Sequence, residues 1–158
     1  MSLIQELHDL CIEKNISLAT AESCTAGLIA SEISSFSGAS SFFKGGIITY
    51  QNNIKINELG VLASVIKRNT EVCADVVEQM AKSVRGRFLS DFSIASSGYA
   101  GPSGGTELNP VGTVFIAISS SEKVISRRFL FLGDRKSIVK QAVNSGINLL
   151  LNELKKQL

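Results

Sequence analysis

The chain has 158 residues, 44% of them hydrophobic and 19% charged, and a formal net charge of +2. That composition excludes a disordered chain, and the near balance of charge argues against an extended nucleic-acid surface. His8 is the only histidine, and Cys11, Cys24 and Cys73 show no metal-ligand spacing. No metal centre, disulfide framework or Ser-His-Asp triad is therefore expected, and a reducing cytoplasm is the natural compartment.

Ile4, Leu7, Leu10 and Cys11 recur at helical spacing, which predicts an amphipathic helix over residues 2–14. Residues 16–21 read as a short strand and 25–35 as a helix with Leu28, Ile29 and Ile33 on one face. Turn chemistry follows at residues 37–40. A second strand is expected over 46–50, then a short helix over 55–59. Val72, Cys73, Val76, Val77 and Met80 form the stripe of a longer helix over 70–84. Residues 92–95 read as a third strand. The segment 96–112 is glycine-rich and holds both prolines. Residues 113–119 and 124–132 read as an antiparallel hairpin, and residues from 134 onward as a final helix. Strands interleaved with helices predict an α/β fold: one domain over 1–158, a three-layer α/β/α sandwich with a mixed sheet. No apolar run reaches membrane-spanning length and no signal-peptide pattern opens the sequence, so no membrane partner is expected.

Four stretches carry candidate chemistry. Thr20-Ala21-Glu22-Ser23-Cys24-Thr25 falls where a strand leads into a helix, so backbone N–H groups point at whatever lies above it. Ser23 there is either a nucleophile with amides as oxyanion donors or a helix cap, as Thr25 also could be. Glu22 orients a lysine or an amide, or serves the helix N-terminus. Cys24 reads as a small buried hydrophobe. In a histidine-poor chain, Lys55 is the available base, provided that its pKa is lowered; otherwise it is a solvated lysine. Tyr50 ends a strand nearby and is either a proton relay or an amphipathic strand end.

The third stretch is Gly98-Tyr99-Ala100-Gly101-Pro102-Ser103-Gly104-Gly105-Thr106, closed by Asn109-Pro110-Val111-Gly112-Thr113. Its glycines let amides approach an anion, although the spacing matches neither a P-loop nor a dinucleotide fingerprint. A long loop in a compact domain is usually functional; a bland ordered loop is the alternative. The fourth is Gly133-Asp134-Arg135. Asp134 reads as the N-cap of the last helix, and Arg135 opposes the helix dipole there, which suggests a bound anion or a surface ion pair.

In their order these stretches, together with Gly45-Gly46-Ile47-Ile48-Thr49-Tyr50 and Leu59-Gly60-Val61, resemble the C-terminal domain family of the competence/damage-inducible protein CinA. Its stand-alone members are nicotinamide mononucleotide deamidases. The resemblance runs from about Leu18 to Leu150. It implies a hydrolase with a Ser-Lys pair assisted by a tyrosine, at the matching positions Ser23, Lys55 and Tyr50. The implied reaction turns nicotinamide mononucleotide and water into nicotinate mononucleotide and ammonia, a step of pyridine nucleotide salvage and NAD metabolism. No cofactor is implied. The expected substrate contacts are Glu22, Cys24, Thr25, Gly98, Tyr99, Ala100, Gly101, Gly104, Gly105, Thr106 and Arg135, with the glycine loop and Arg135 holding the phosphate. Cys73, Tyr99, Ser103 and Lys140 depart from the family's usual residues, and Tyr99 is the one expected to matter most, either narrowing the pocket or stacking on the pyridine ring. Longer relatives carry an additional N-terminal domain, whose activity is not expected of a chain this short. An amidase acting on a different small amide and a nonenzymatic nucleotide- or partner-binding module remain the alternatives. A homo-oligomer is expected, formed through the apolar final helix.

Overall fold

The computed structural model describes all residues 1–158. Five strands form one sheet in the order β2-β1-β3-β4-β5. They are β1 (Leu18–Glu22), β2 (Phe43–Ile48), β3 (Phe92–Gly98), β4 (Thr113–Ser120) and β5 (Val124–Leu130). β1 pairs in parallel with β2 and β3, whereas β4 runs antiparallel to β3 and β5, so the sheet is mixed as expected. The helices are α1 (Leu3–Lys14), α2 (Leu28–Ile33), α3 (Asn52–Leu59), α4 (Ala63–Asn69), α5 (Ala74–Phe88) and α6 (Arg135–Gln157).

Alternation along the strands sorts the two faces. Leu18, Phe92, Ile94, Val114, Ile116 and Ile118 meet α1, α2 and α6 in one core; Ala19, Ala21, Ala95 and Ala117 meet α5 in the other. The second face is lined by small residues, so α5 sits close to the sheet, and the Ser93 hydroxyl donates to the Ala81 carbonyl at 2.6 Å. On the first face α6 makes its close approach through Gly146. A Cβ there would stand 3.1 Å from Ile94 Cδ1 and 3.4 Å from Ile116 Cδ1. The result is the expected three-layer sandwich.

Several elements differ from the reading of the sequence: β2 spans 43–48 where 46–50 was expected, and α5 spans 74–88 where 70–84 was expected, so residues 70–73 precede that helix. α4 was not expected: seven residues with only Val65 buried are too short to display a period. α2 starts at Leu28 and not at residue 25, because Ala26 and Gly27 both take positive φ and a helix cannot run through them. The apolar stripe of α6, including Ile138, Ala142, Ile147, Leu150 and Leu151, is buried inside the chain, so it supplies no face for a second copy. No helix is long and apolar enough to cross a membrane.

The topology fixes where a site can form. From β1 the chain passes along the α2 face to β2, then returns along the α5 face to β3. β1 is therefore flanked by strands reached over opposite faces. The carboxyl ends of β1 and β3 form the switch point at which an open sheet leaves a crevice.

Candidate functional site

Ser23 is the first residue beyond β1, at that crevice. Its N–H donates to the Ser96 carbonyl of β3 at 3.1 Å, which pins the bend between the two strands. The bend closes with Ala26 N–H donating to the Ser23 carbonyl at 3.0 Å. The N–H groups of Cys24, Thr25 and Gly27 have no main-chain partner, and they are the free donors of this turn.

Neither Ser23 nor Thr25 caps α2. Glu22 does so: it is buried, and its carboxylate accepts from Ile29 N–H at 2.8 Å, Ala30 N–H at 3.0 Å and the Thr25 hydroxyl at 2.6 Å. Thr25 Oγ1 also bonds the Ser96 hydroxyl at 2.7 Å. Of the two readings for Glu22, the geometry matches service to the helix start, and Glu22 lines neither cavity of the site. Thr25 is buried and its hydroxyl is taken by these partners. Burial pushes the Cys24 thiol up to about 12 against a smaller opposing hydrogen bond from Ser96, so it stays protonated and is no nucleophile.

Lys55 is completely buried, which is exceptional for a lysine. It projects from the first turns of α3, and its Nζ donates to the Tyr50 carbonyl at 3.0 Å. Burial lowers its pKa from the ordinary 10.5, while the carboxylate of Glu71 acts in the opposite direction. A lysine desolvated in this way is the form able to accept a proton. Tyr50 thus fixes Lys55 through its main chain. Its phenol is half exposed and accepts from Arg135 at 2.7 Å. Arg135 opens α6, as expected, behind the N-cap Asp134, which accepts from Ser137 N–H at 2.9 Å. The second arm of its guanidinium donates to the Gly101 carbonyl at 2.7 Å. Tyr50, Arg135 and the glycine loop are thereby tied together.

Two adjoining cavities share Cys24, Tyr50 and Arg135. The smaller, about 150 Å³, is lined by Ser23, Glu71, Gly98, Tyr99, Ala100, Gly101 and Ser103 besides the shared residues. The larger, about 770 Å³, lies against α2 and the start of α6, and Arg135, Lys136 and Lys140 face a single carboxylate there, Glu32. The glycine stretch divides. Its first half lines the small cavity. Gly104, Gly105 and Thr106 lie outside both cavities: Gly104 packs on the Tyr99 ring, Gly105 on the Val111 backbone, and the Thr106 hydroxyl accepts from Asn109 N–H at 2.9 Å to close the turn. The Tyr99 hydroxyl donates to Thr70 Oγ1 at 3.2 Å, so its ring is held as a wall of the small cavity.

Tyr50 and Ser23 thus line one cavity from the β2 and β1 ends, and Lys55 is tied to it from α3 through the Tyr50 carbonyl. The chain matches the model of the CinA C-terminal domain over residues 1–154. The chain belongs to the CinA C-terminal domain family. A CinA-like protein of Shewanella halifaxensis is 46% identical over 127 residues, 80% of this chain and 30% of that protein. A CinA-like protein of Flavobacterium psychrophilum is 40% identical over 150 residues, 95% of this chain and 36% of that protein. The chain therefore spans about a third of the length of these curated relatives. Among solved structures, the competence damage-inducible protein A of Klebsiella pneumoniae superposes with a TM-score of 0.93 at 31% identity, covering 97% of this chain and 95% of that one. The competence/damage inducible protein of Agrobacterium tumefaciens gives 0.88 at 31% identity, covering 96% and 97%.

Within this CinA domain, several residues at the site escaped the reading of the sequence, Glu32 of α2 among them. Glu71 and Thr70 come from the link between α4 and α5, Ser96 from β3, and Lys136 from α6. Glu71 carried no signal, because nothing in the sequence says that residues 23, 71 and 99 share a cavity. Of the departures from the family pattern, Tyr99 and Ser103 line the small cavity and Lys140 the large one. Cys73 lines neither and stands at the N-cap of α5.

Proposed function

We propose that the chain is an amidohydrolase that converts nicotinamide mononucleotide to nicotinate mononucleotide and ammonia, with Ser23 as nucleophile and Lys55 as base. The observation that carries this reading is a fully buried lysine amine held on the main-chain carbonyl of Tyr50, a residue that shares its cavity with Ser23 at the sheet's switch point, in a chain whose one histidine lies in α1. Neutral Lys55 takes the Ser23 proton as the serine oxygen attacks the carboxamide carbon. The developing oxyanion is received by the free N–H groups of Cys24 and Thr25. Collapse of the tetrahedral adduct expels ammonia, with the proton returned from Lys55. Water, deprotonated by the same lysine, then releases nicotinate mononucleotide and frees Ser23.

Division of labour between the cavities supports this substrate. The small cavity is sized for one aromatic ring bearing an amide. The large one offers Arg135, Lys136 and Lys140 to a phosphate at the N-terminus of α6, where the helix dipole adds to their charge. Tyr50 positions Lys55 through its carbonyl and steadies Arg135 through its phenol. No cofactor enters any step.

The test is ammonia release from nicotinamide mononucleotide by the purified protein, with Ser23→Ala in parallel. Release by the native chain and none by the variant is expected. Near-normal turnover by Ser23→Ala would remove the nucleophile from the scheme. Tyr99, which walls the small cavity and departs from the family's usual residue, favours a second reading, an amidase for another small amide. That reading predicts Ser23-dependent ammonia from the other amide and none from nicotinamide mononucleotide.

A further inference from the structure

The small cavity contains a carboxylate that the proposed chemistry does not use. Glu71 lines it together with Ser23, Tyr50 and Tyr99. Its main chain is anchored, since its carbonyl accepts from the Ser97 hydroxyl of β3 at 2.7 Å. Its carboxylate has no ion-pair partner: the salt bridges of the chain are those of His8, Lys14, Arg87, Lys123, Lys155 and Lys156. Of its cationic neighbours, Lys55 is directed to the Tyr50 carbonyl, and Arg135 to the Gly101 carbonyl and the Tyr50 phenol. Glu71 is thus the one carboxylate of the Ser23 end, without a salt bridge and beside two tyrosines, and Arg135 is shared by both cavities. The adjoining cavity adds Lys136 and Lys140 against Glu32, so the acidic group lies at the Ser23 end and the further cations lie toward α6. A site with a negative inner end and a positive outer end suits a ligand with a cation at its reacting ring and an anion at its tail.

We infer that Glu71 is a specificity-determining residue that selects a carboxamide carried on a cationic aromatic ring, an N-substituted pyridinium, over the same amide on a neutral ring. The inference rests on the proposed deamidase reading and deepens it. A carboxylate in a partly desolvated cavity attracts a ring cation more strongly than it would in water, and the faces of Tyr50 and Tyr99 are the electron-rich surfaces on which such a cation settles. Glu71 also acts on Lys55. Its charge favours the protonated amine, so Glu71→Gln leaves less positive charge on Lys55 and by that route raises the preference for the cationic ligand; a fall in the ratio therefore reports the direct action of Glu71 on the ring charge.

The experiment titrates two proteins, Ser23→Ala and Ser23→Ala with Glu71→Gln, with nicotinamide mononucleotide and with its reduced dihydropyridine form. The two ligands share the carboxamide, ribose and phosphate and differ in ring charge. Ser23→Ala is expected to bind the cationic form about tenfold more tightly, and Glu71→Gln to bring the ratio to about twofold or less. Glu71→Asp, which keeps the charge, is expected to retain part of the preference. An unchanged ratio in Glu71→Gln, no preference in Ser23→Ala, or no binding of the cationic form would overturn the inference. Ammonia release by the native protein is scored separately. Release with an unchanged ratio leaves the deamidase standing without Glu71 as selector. A ratio lost in Glu71→Gln without any release leaves the cation site standing without the deamidase.

Discussion

Lys55 shows how one side chain couples stability to chemistry. A lysine whose folded pKa lies below the ordinary 10.5 binds fewer protons in the folded chain than in the unfolded one between those two values. Stability therefore rises with pH across that window, and the penalty for the buried amine is fully present below it. Lys55→Met fills a similar volume without the titration. Denaturant unfolding at neutral pH and near pH 10 is expected to show the stability of the variant relative to native falling as pH rises. Its turnover is expected to drop by about two to four orders of magnitude, the usual worth of a general base. Glu71 moves the same group. Its charge holds the proton on Lys55, so Glu71→Gln lowers the lysine pKa further. The acid limb of the rate profile, where the base becomes protonated, is then expected to move to lower pH. A limb that stays in place would show that the base is not Lys55 or that Glu71 does not reach it.

Among the elements, α2 depends most on a single residue. It has six residues and its N-cap Gly27 offers no side chain, so Glu22 supplies the missing acceptors for Ile29 and Ala30 from the end of β1. Glu22→Gln replaces one oxygen by a donor that faces N–H groups. A loss of about 1–3 kcal/mol is expected in chemical denaturation. Turnover is expected to fall as well, because Ser23 begins the bend that this contact holds in place. α6 tests packing instead: Gly146→Val forces branched carbons against Ile94 and Ile116, and about 1–3 kcal/mol of destabilisation is expected. The same elements show what the sequence makes legible. The stripes of α1, α5 and α6 and the β4–β5 hairpin stand out because each buries one face and so repeats its pattern. α4 buries only Val65 and leaves no pattern. The start of α2 is set by Ala26 and Gly27 at positive φ, which the apolar spacing does not reveal. Ser23 and Lys55 stand out as candidates from residue type and family wording, whereas Glu71 required the fold.

At the scale of the whole molecule, the site is made by topology and by none of its segments alone. Ser23 follows β1, Lys55 rides on α3, Glu71 precedes α5, Tyr99 follows β3 and Arg135 begins α6. The 2-1-3 strand order with crossovers on opposite faces brings the ends of β1 and β3 to one crevice with Glu71 and Arg135, and the Tyr50 carbonyl ties Lys55 to it. A ligand that spans both cavities therefore binds the folded chain and not the unfolded one, and by mass action it raises the unfolding free energy. At a hundred times its Kd the gain is about 2.7 kcal/mol. For a chain of this size that corresponds to a rise in Tm of roughly 5–10 °C. Ser23→Ala, which keeps the site without consuming the ligand, is the protein to heat with nicotinamide mononucleotide in calorimetry. Nicotinamide at the same concentration reaches the small cavity but has neither a phosphate for Arg135, Lys136 and Lys140 nor a ring charge for Glu71, and its shift is expected to be much smaller. Equal shifts would mean that the basic cleft adds nothing to binding and that recognition ends at the amide.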